Sequence, residues 1–343
     1  MKLPAVTIVL SSYNGEKFIA EQIASIRQQT HTVWKLLVRD DGSSDRTTDI
    51  LQAFAEADDR IILLTDQRGN LGPAASFGVL LESALNNGAS YVALADQDDV
   101  WSPTKIAREL ELMLREEDQS GESKAILVHT DLTVVSEDLQ LIHRSFLAHQ
   151  GLRHMANSPL GTLLIQNFVT GCTTLINRPL LQLAVPLPKV IMHDWWLALC
   201  AAALGKICYL PEPMVLYRQH RTNALGSVGR RKALWHSLRK PVDSWLQAGV
   251  VLEQALEQAR ELTERVERDE RGGSSALGSL RVLRDFYRAF TEGNGLTRLR
   301  VLSRYNIRPR TFLPYPVRFY ARVLLWSRAP HSPAGRASAG GSP

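Results

Sequence analysis

Short apolar runs alternate with amphipathic stretches along roughly the first hundred residues of the chain. Apolar runs of this kind are typical of strands buried on both faces, and amphipathic stretches between them are typical of helices that connect parallel strands. The pattern therefore predicts an α/β fold with a doubly wound, mostly parallel sheet. The predicted strands cover residues 6–10, 34–39, 61–64 and 91–95, and the predicted helices cover residues 16–29, 44–57 and 74–87.

The second half of the chain has a different pattern. Beyond residue 125 the apolar runs are less regular and predict mixed strands around a helix at residues 193–203. An apolar stripe at helical spacing between residues 242 and 269 predicts a packed or coiled helix. The predicted strands of this half are 125–129, 132–135, 169–177, 207–210 and 214–217. We therefore expect an α/β domain at residues 1–225, a helical and basic extension at 226–328, and a disordered tail at 329–343.

The basic charge is concentrated at the C-terminal end of the chain. The formal net charge is +5, and the composition of 45% hydrophobic and 22% charged residues is typical of a folded soluble protein. No Asp or Glu follows Glu292. The basic end can be interpreted as an interfacial helix that contacts an anionic membrane, or as a helical cap whose arginines are solvated. Its arginines are Arg298, Arg300, Arg304, Arg308, Arg310, Arg318, Arg322, Arg328 and Arg336.

Neither the cysteines nor the apolar runs indicate export or membrane insertion. Cys172, Cys200 and Cys208 are odd in number and too far apart for a Cys-x-x-Cys pair, which is typical of buried thiols in a reducing compartment. The N-terminal apolar run is too short for a signal peptide. The longest apolar stretch, residues 195–205, ends well before the roughly 20 residues that a spanning helix needs. We expect a cytoplasmic protein that can associate with the inner face of the cell membrane.

Polar residues follow three of the predicted strands where each strand ends. They are Ser-Ser-Tyr-Asn-Gly at residues 11–15, Asp-Asp-Gly-Ser-Ser-Asp at 40–45 and Asp-Gln-Asp-Asp at 96–99. In doubly wound sheets, ligands bind beyond the carboxyl ends of the strands. We therefore expect these three segments to meet in one polar crevice.

Three carboxylates, Asp96, Asp98 and Asp99, occur within four residues of one of these strand ends. Like charges so close together repel, so the arrangement is costly unless a cation lies among them. Oxygen ligands favour Mg²⁺ or Mn²⁺, which could also bridge to a diphosphate. The alternative is a helix N-cap ahead of Ser102 and Pro103, but a cap needs one acid rather than three.

Other candidate residues are ambiguous from the sequence. Asp40 and Asp41 could close a tight turn, or one of them could accept hydrogen bonds from a base or a ribose. Asp194, in His-Asp-Trp-Trp, could be an ordinary acid at a helix N-terminus. His220, in Tyr-Arg-Gln-His, could be a structural histidine.

Taken together, these motifs resemble glycosyltransferase family 2, whose members are inverting enzymes with the GT-A fold. The resemblance runs from residue 6 to about residue 223, and the motifs occur in the family's order. It implies that the donor nucleotide is bound by Ser11, Tyr13, Asn14, Asp40, Asp41, Asn70, Asp96, Gln97 and Arg218. It also implies a loop near donor and acceptor that includes Gly171, Cys172 and Trp195.

The resemblance further implies the chemistry. Asp194 is similar in position to the family's general base, although His193 stands where the family usually has Glu. Asp98 of the DxD motif and His220 are expected to bind Mg²⁺ or Mn²⁺, and Arg218 is expected to face the diphosphate. The Gln-Asp-Asp-Val-Trp sequence at residues 97–101 looks like the rhamnosyltransferase branch. That branch implies dTDP-L-rhamnose as donor and a cell-surface polysaccharide or lipid-linked glycan as acceptor.

Two other interpretations remain open at this stage. The chain could use another donor, such as a UDP-sugar, or it could bind a nucleotide sugar without catalysing transfer. Nucleic acid is not an expected partner, because the chain has no aromatic-basic recognition motif and the acids of the crevice would repel phosphate.

Overall fold

The computed structural model describes residues 3–155, 158–220, 241–269, 273–310 and 315–326. Within these residues the chain forms a nine-stranded sheet that has an apolar core on each face. This arrangement confirms the α/β class predicted from the apolar pattern. The predicted domain boundary near residue 225 and the predicted tail at 329–343 lie outside the described residues.

The order of the strands places the carboxyl ends of the first four at one edge of the sheet. The strands are β1 (Val6–Ser12), β2 (Trp34–Asp40), β3 (Ile61–Leu63), β4 (Tyr91–Ala95), β5 (Val100–Trp101), β6 (Ile126–Ser136), β7 (Leu141–His143), β8 (Thr174–Asn177) and β9 (Lys206–Gln219). Their spatial order is β3-β2-β1-β4-β8-β6-β9-β5, and β7 pairs with β6. The first four are parallel neighbours, β8 is antiparallel to β4 and β6, and β6 is parallel to β9. Because β1 lies between β2 and β4, the strand order reverses there, which is where such sheets bind ligands.

Helices cover both faces of the sheet. They are α1 (Ile19–Arg27), α2 (Thr47–Ala57), α3 (Pro73–Asn86), α4 (Lys105–Ser120), α5 (Phe146–Gln150), α6 (Pro159–Leu163), α7 (Arg178–Ala184), α8 (His193–Leu204), α9 (Pro241–Arg268), α10 (Gly273–Thr291), α11 (Gly295–Arg304) and α12 (Tyr315–Leu324). Val9 of β1 and Leu94 of β4 pack in the core formed with α3 and α8. Ile8 and Leu10 pack in the opposite core, with α1 and α4. Successive side chains of a strand point to opposite faces, so strands buried on both sides are apolar throughout.

The five strands predicted in the second half were wrong in their bounds. The strands predicted at 125–129 and 132–135 are one strand, β6, and those predicted at 207–210 and 214–217 are one strand, β9. The two long strands pair with each other almost throughout. The polar residues that were predicted to end the shorter strands lie at register irregularities near Asp131, where the pairing continues. The strand predicted at 169–177 begins only at Thr174, because Gly171–Thr173 form a short 3₁₀ turn.

Helices α9 to α12 pack on the face of the sheet that carries α3 and α8. Buried apolar residues of these helices, among them Leu256, Phe286 and Val323, belong to the same core as Val9. Arg298 is also buried and donates hydrogen bonds to four carbonyl oxygens, including those of Gly293 and Trp326 at 2.8 Å. The described part of the basic extension is therefore arranged as a packed cap. None of the helices within the described residues is long and apolar enough to cross a membrane.

Candidate functional site

A cavity of about 380 Å³ opens at the carboxyl ends of β1, β2 and β4 and reaches the first residues of α8. Nine residues predicted for the site line it, namely Ser11, Tyr13, Asp41, Asn70, Asp96, Gln97, Asp98, Gly171 and Asp194. Six others predicted for the site do not line it, namely Asn14, Asp40, Cys172, Trp195, Arg218 and His220. The convergence of the three strand ends in one crevice is therefore present in the structure.

Asp41 lines the cavity directly after β2 and is fixed by three donors. Its carboxylate accepts hydrogen bonds from the backbone N–H groups of Leu71 (2.9 Å) and Gly72 (2.8 Å), and it pairs with the guanidinium of Arg39. Arg39 is 1% exposed and also binds Asp66 through two hydrogen bonds. The hydrogen bond to Asp66, with further support from Asp41, raises the pKa of Arg39, so the guanidinium remains charged. Sequence reasoning missed Arg39, although an arginine within a buried apolar strand was a visible signal.

Asp40 points into its own loop instead of into the cavity. Its carboxylate accepts hydrogen bonds from the hydroxyl of Ser12 (3.0 Å) and from the backbone N–H groups of Gly42 (3.2 Å) and Ser43 (2.8 Å). Gly42 has a φ of +87°, a conformation that an L side chain rarely adopts. Asp40 therefore shapes the turn after β2, and Asp41 is the acid of this pair that faces the cavity.

Asn14 and Gln97 join the loops around the cavity to one another. The side-chain oxygen of Asn14 accepts a hydrogen bond from the backbone N–H of Ser44 at 2.8 Å. Gln97 binds both backbone groups of Tyr13, since its Oε1 accepts from the N–H at 2.8 Å and its Nε2 donates to the carbonyl at 3.1 Å. A Cβ at Gly15 would lie 2.8 Å from Gln97 Cδ, so a larger residue there would displace the Gln97 amide from Tyr13. These contacts position the half-exposed ring of Tyr13 at the mouth of the cavity.

The three clustered acids occupy different environments. Asp96 and Asp98 line the cavity, whereas Asp99 is completely buried behind it. Burial, followed by the nearby charges of Asp98 and Asp194, raises the pKa of Asp96. The same two causes, burial and then the charges of Asp98 and Asp96, raise the pKa of Asp99 well above its usual range. Burial therefore favours a proton on Asp99, and the two acids of the cluster that face the cavity are Asp96 and Asp98.

The acidic cluster and its neighbours offer two groups of side chains as candidate ligands for a divalent cation. His220 Nε2 lies 2.7 Å from the carboxylate of Asp98, so the predicted pair of metal ligands is adjacent. Asp96, Asp99 and Cys172 also have ligand atoms within 4.8 Å of one another. Burial raises the pKa of the Cys172 thiol well above its usual value, and thiols are poor ligands for Mg²⁺. Asp96, Asp98 and His220 have ligand types that suit Mg²⁺ or Mn²⁺ better, and Asp98 and His220 are in direct contact.

The guanidinium of Arg218 lies behind the acidic motif, and its expected contact with the diphosphate stays a prediction. Its Nε donates to the carbonyl of Asp98 (2.9 Å), and its other nitrogens donate to the carbonyl of Glu137 and to the carboxylate of Glu21 (2.5 Å each). Arg218 is 2% exposed and does not line the cavity. The side chain holds the backbone of the acidic motif, because strand β9 brings residue 218 to the inner side of that turn.

Asp194 is the second residue of α8 and lines the cavity opposite the strand ends. Its carboxylate accepts hydrogen bonds from the backbone N–H groups of Gly171 (3.0 Å) and Trp195 (2.6 Å). Burial raises the pKa of Asp194 to about 6, and these hydrogen bonds limit the rise. A carboxylate with this pKa is largely ionised at neutral pH and is an effective proton acceptor.

The residues of the predicted loop around Gly171 lie in different places in the structure. Gly171 lines the cavity, but Cys172 is fully buried beneath it. Trp195 is also buried, and its indole N–H donates to the carbonyl of Leu163 at 2.6 Å. Cys172 and Trp195 therefore lie behind the cavity wall, and their predicted place in a loop near donor and acceptor stays a prediction.

His193 lines the cavity beside Asp194 and is 2% exposed. Its ring stacks on Phe77 of α3, with ring centroids 3.8 Å apart and planes at 22°. Neither ring nitrogen has a hydrogen-bond partner among the described residues. Burial lowers the pKa of His193 to about 3, so the imidazole is neutral. Buried polar atoms without a partner are rare in folded proteins and call for an explanation.

Several lining residues were not predicted from the sequence. Most are chain neighbours of predicted residues, so a wider window around each motif would have found them. Phe77 had a weaker signal, since it lies one helical turn beyond Pro73 and shares that face of α3. The unpredicted lining residues are Ser12, Gly72, Pro73, Phe77, Thr170, Met192, His193 and Tyr217.

Comparison with known proteins shows which family part of the chain matches. Residues 7–147 match the model described as glycosyl transferase family 2. The chain is 28% identical over 192 residues to the UDP-Glc:alpha-D-GlcNAc-diphosphoundecaprenol beta-1,3-glucosyltransferase WfgD of Escherichia coli, covering 56% of this chain and 67% of that protein. It is 24% identical over 253 residues to the dTDP-rhamnosyl transferase RfbG of Shigella flexneri, covering 69% of this chain and 80% of that protein. The chain spans 42% to 66% of the length of other curated relatives that it matches.

A solved structure agrees with the fold. The crystal structure of S. aureus TarS 1-349 in complex with UDP-GlcNAc has a TM-score of 0.53 and 15% identity to this chain, covering 88% of this chain and 80% of that one. At this identity the likeness is one of fold, and it confirms the predicted GT-A fold. Residues 7–147, the part of the chain that matches the model of glycosyl transferase family 2, carry three of the four acids that line the cavity.

Proposed function

We propose that this protein is a metal-dependent, inverting glycosyltransferase that moves a sugar from a nucleotide diphosphate to a hydroxyl of a cell-surface or lipid-linked glycan. One observation carries the proposal: Asp194, a buried carboxylate with a pKa of about 6, lines the same cavity as Asp98. A proton acceptor and a site for a diphosphate are thus present together. Binding of a nucleotide sugar alone would need no such acceptor.

The proposed reaction is a single displacement at the anomeric carbon. Asp194 accepts the proton of the acceptor hydroxyl while that oxygen attacks and the bond from the sugar to the diphosphate breaks. General-base help of this kind contributes roughly 10²–10⁴-fold to a rate. Because the sugar never bonds to the enzyme, the anomeric configuration inverts.

The cation of this proposal is Mg²⁺ or Mn²⁺, held by Asp98 and His220 with help from Asp96. When bound, such an ion supplies Lewis-acid stabilisation of the leaving diphosphate. The protein's own part is to present these ligands on a backbone that Arg218 fixes from behind.

The nucleotide of the donor is proposed to lie between Tyr13, Asp41 and Asn70, all of which line the cavity. The carboxylate of Asp41 has about four acceptor sites, of which three are in use, so one remains for a base N–H. dTDP-L-rhamnose is the proposed donor, on the basis of the Gln-Asp-Asp-Val-Trp sequence and the similarity to RfbG. The similarity to WfgD supports a UDP-sugar as the alternative donor and a diphosphate-linked lipid as a form of acceptor.

A panel of dTDP-, UDP- and GDP-sugars tests the donor and the activity together. Thermal shift with Mg²⁺ identifies the nucleotide that binds, and release of the nucleoside diphosphate measures turnover. We expect a dTDP-sugar to give the largest shift, and Asp194→Asn to bind the donor without turning it over. A wild-type protein that binds a donor but neither transfers nor hydrolyses it would establish the binding module instead.

Contact with an anionic membrane through the basic C-terminal extension remains part of the proposal, together with a cytoplasmic location at the inner face of the membrane. Arg298 is buried in the packed cap and so is not free for such contact, which leaves the more exposed arginines, such as Arg304. Flotation of the full chain with phosphatidylglycerol vesicles is expected at low salt and is expected to weaken at high salt. Absence of flotation at low salt would remove membrane contact from the proposal.

A further inference from the structure

The strongest unexplained feature of the cavity is the imidazole of His193. A buried polar side chain normally has at least one hydrogen-bond partner. His129, which is equally buried, forms a 3.1 Å hydrogen bond to His154. His193 satisfies neither nitrogen within the described residues. Its ring nonetheless lines the cavity, so a small shift of the neighbouring groups on ligand binding would bring the buried nitrogens within reach of the ligand.

The surroundings of the ring fix its position without using its polar atoms. One face of the imidazole stacks on Phe77, which is 3% exposed and belongs to the rigid core. A Cβ at residue 171 would lie 2.9 Å from His193 Nε2 and 3.5 Å from the Cβ of Asp194. Gly171 therefore leaves the space into which the Nε2 edge projects, beside the general base proposed above.

The charge state of the ring limits what it can recognise. His193 is neutral, so one ring nitrogen donates a hydrogen bond and the other accepts one. A neutral ring lacks the positive charge that would favour a phosphate. A hydroxyl group, which also donates and accepts, matches it, and the molecules that enter a glycosyltransferase cavity are rich in hydroxyls.

We propose that His193 is a specificity-determining residue that hydrogen-bonds a hydroxyl of a sugar ring in the cavity, next to the hydroxyl that Asp194 deprotonates. The inference rests on the proposed function, and the hydroxyl belongs either to the donor sugar or to the acceptor. Unlike Asp194, His193 transfers no proton. It selects the sugar and orients it for attack.

Replacement by phenylalanine separates this role from packing. His193→Phe keeps a flat ring against Phe77 and removes both nitrogens, while His193→Gln and His193→Asn return a polar group near Nε2 or Nδ1. We expect His193→Phe to melt no lower than wild type, because it removes unsatisfied buried polar atoms. We expect its kcat/KM to fall at least tenfold and one of the two amide variants to recover part of the loss.

A buried histidine outside the cavity provides the matched control. His129 is 1% exposed and has a ring partner, so His129→Phe is expected to lower the melting temperature and to leave kcat/KM within twofold of wild type. We thus expect His193→Phe to keep its melting temperature and lose activity, and His129→Phe to lose melting temperature and keep activity. A role of His193 in packing alone would not produce this difference.

Deoxy analogues identify the hydroxyl. The probes are the donor selected by the panel and its 2-, 3- and 4-deoxy forms, together with the deoxy forms of the accepted sugar. We expect wild type to discriminate at least tenfold against one analogue, and His193→Phe to lose that discrimination. A donor analogue with a raised donor KM assigns the contact to the donor, and an acceptor analogue with a raised acceptor KM assigns it to the acceptor.

Two results would overturn the inference. One is a kcat/KM of His193→Phe within twofold of wild type, and the other is undiminished discrimination against every analogue. Failure of the proposed function looks different, because wild type and Asp194→Asn would then be equally inactive with every donor. If wild type transfers sugar and Asp194→Asn does not, the kinetics of His193→Phe test the role of His193 alone.

Discussion

Substitution of Asp194 by asparagine tests the proposed general base through two properties that change for separate reasons. The amide has nearly the same shape as the carboxylate but cannot accept a proton. Turnover should therefore fall by about 10²–10⁴-fold, the usual contribution of a general base. Donor affinity should remain within about threefold of wild type, since Asp194 contacts the acceptor side of the reaction in this proposal.

The same substitution has a calculable effect on stability. The usual pKa of an aspartate carboxyl is 3.8, whereas burial raises the pKa of Asp194 to about 6. Between these pH values the Asp194 carboxyl is ionised in the unfolded chain but protonated in the folded chain. Its contribution to the free energy of unfolding of wild type therefore falls as the pH rises. The stability of wild type relative to Asp194→Asn should fall by about 3 kcal/mol from pH 2 to pH 8, and by about 2.4 kcal/mol of this between pH 4 and pH 7, at ~1.36 kcal/mol per pKa unit.

This pH-dependent difference is independent of the hydrogen bonds that asparagine loses. The carboxylate accepts from the N–H groups of Gly171 and Trp195, and an amide oxygen can replace only one of these acceptors. That loss costs ~1–3 kcal/mol and is the same at every pH. It lowers the free energy of unfolding by a constant amount and does not change how this free energy depends on pH. Urea unfolding of both proteins at several pH values measures how the difference in their free energies of unfolding depends on pH.

The kinetic pH profile must agree with the stability data. Wild-type kcat/KM should fall below pH 6 with the loss of one ionised group and reach a plateau above pH 7, since only ionised Asp194 accepts a proton. A parallel pair of stability curves, or a kcat/KM that is level down to pH 5, would refute the assignment of a raised pKa. Unchanged turnover in Asp194→Asn would remove Asp194 from the mechanism.

Three further predictions concern groups around the cavity. Asp98→Asn should abolish the activation by Mg²⁺ or Mn²⁺ that wild type shows after EDTA treatment, and equal activation of both proteins would exclude Asp98 as a metal ligand. Gly171→Ala should retain the fold but reduce kcat at least tenfold, because its Cβ would lie 2.9 Å from His193 Nε2, and a full rate would contradict the close packing seen there. Arg39→Met should lower the free energy of unfolding by about 3–5 kcal/mol and weaken donor binding, since it leaves Asp41 buried without its charged partner. A urea midpoint equal to that of wild type would show that Asp41 does not need this pair.

The place of the site could be predicted because it depends on topology. Once the first four strands are parallel neighbours, their carboxyl ends meet, and the residues that follow β1, β2 and β4 must lie together. Asp41, Asp96 and Asp98 follow from that argument. Asp194 does not, because its distance from them along the chain carries no geometric information, and it required the family resemblance.

The direction of each side chain could not be predicted in the same way. Asp40 and Asp41 are adjacent and chemically identical, yet one closes its own turn and the other faces the cavity. Their difference depends on the turn at Gly42 and on Arg39, whose partner Asp66 is far along the chain. Similar long-range contacts account for Arg218, since Glu21 and Glu137 draw its guanidinium behind the acidic motif.

The charges of the cavity lead to a final prediction about the order of binding. Four carboxylates line it, and no lysine or arginine of the described part of the chain does so. Arg39 and Arg218 approach from outside, where the first neutralises Asp41 and the second binds mainly backbone carbonyls and Glu21. A donor diphosphate would therefore enter a negative cavity unless a cation entered with it.

Donor affinity should accordingly depend on the divalent ion even where no reaction occurs. In Asp194→Asn, which is expected to be inactive, calorimetry should show at least tenfold tighter donor binding with Mg²⁺ than with EDTA. In the double variant with Asp98→Asn, the same comparison should show a smaller difference, because the added ion has lost a ligand. Equal affinity with and without Mg²⁺ would mean that the cavity tolerates the diphosphate by other means. The interpretation of Asp96 and Asp98 as cation ligands would then be wrong, even if Asp194 proved to be the base.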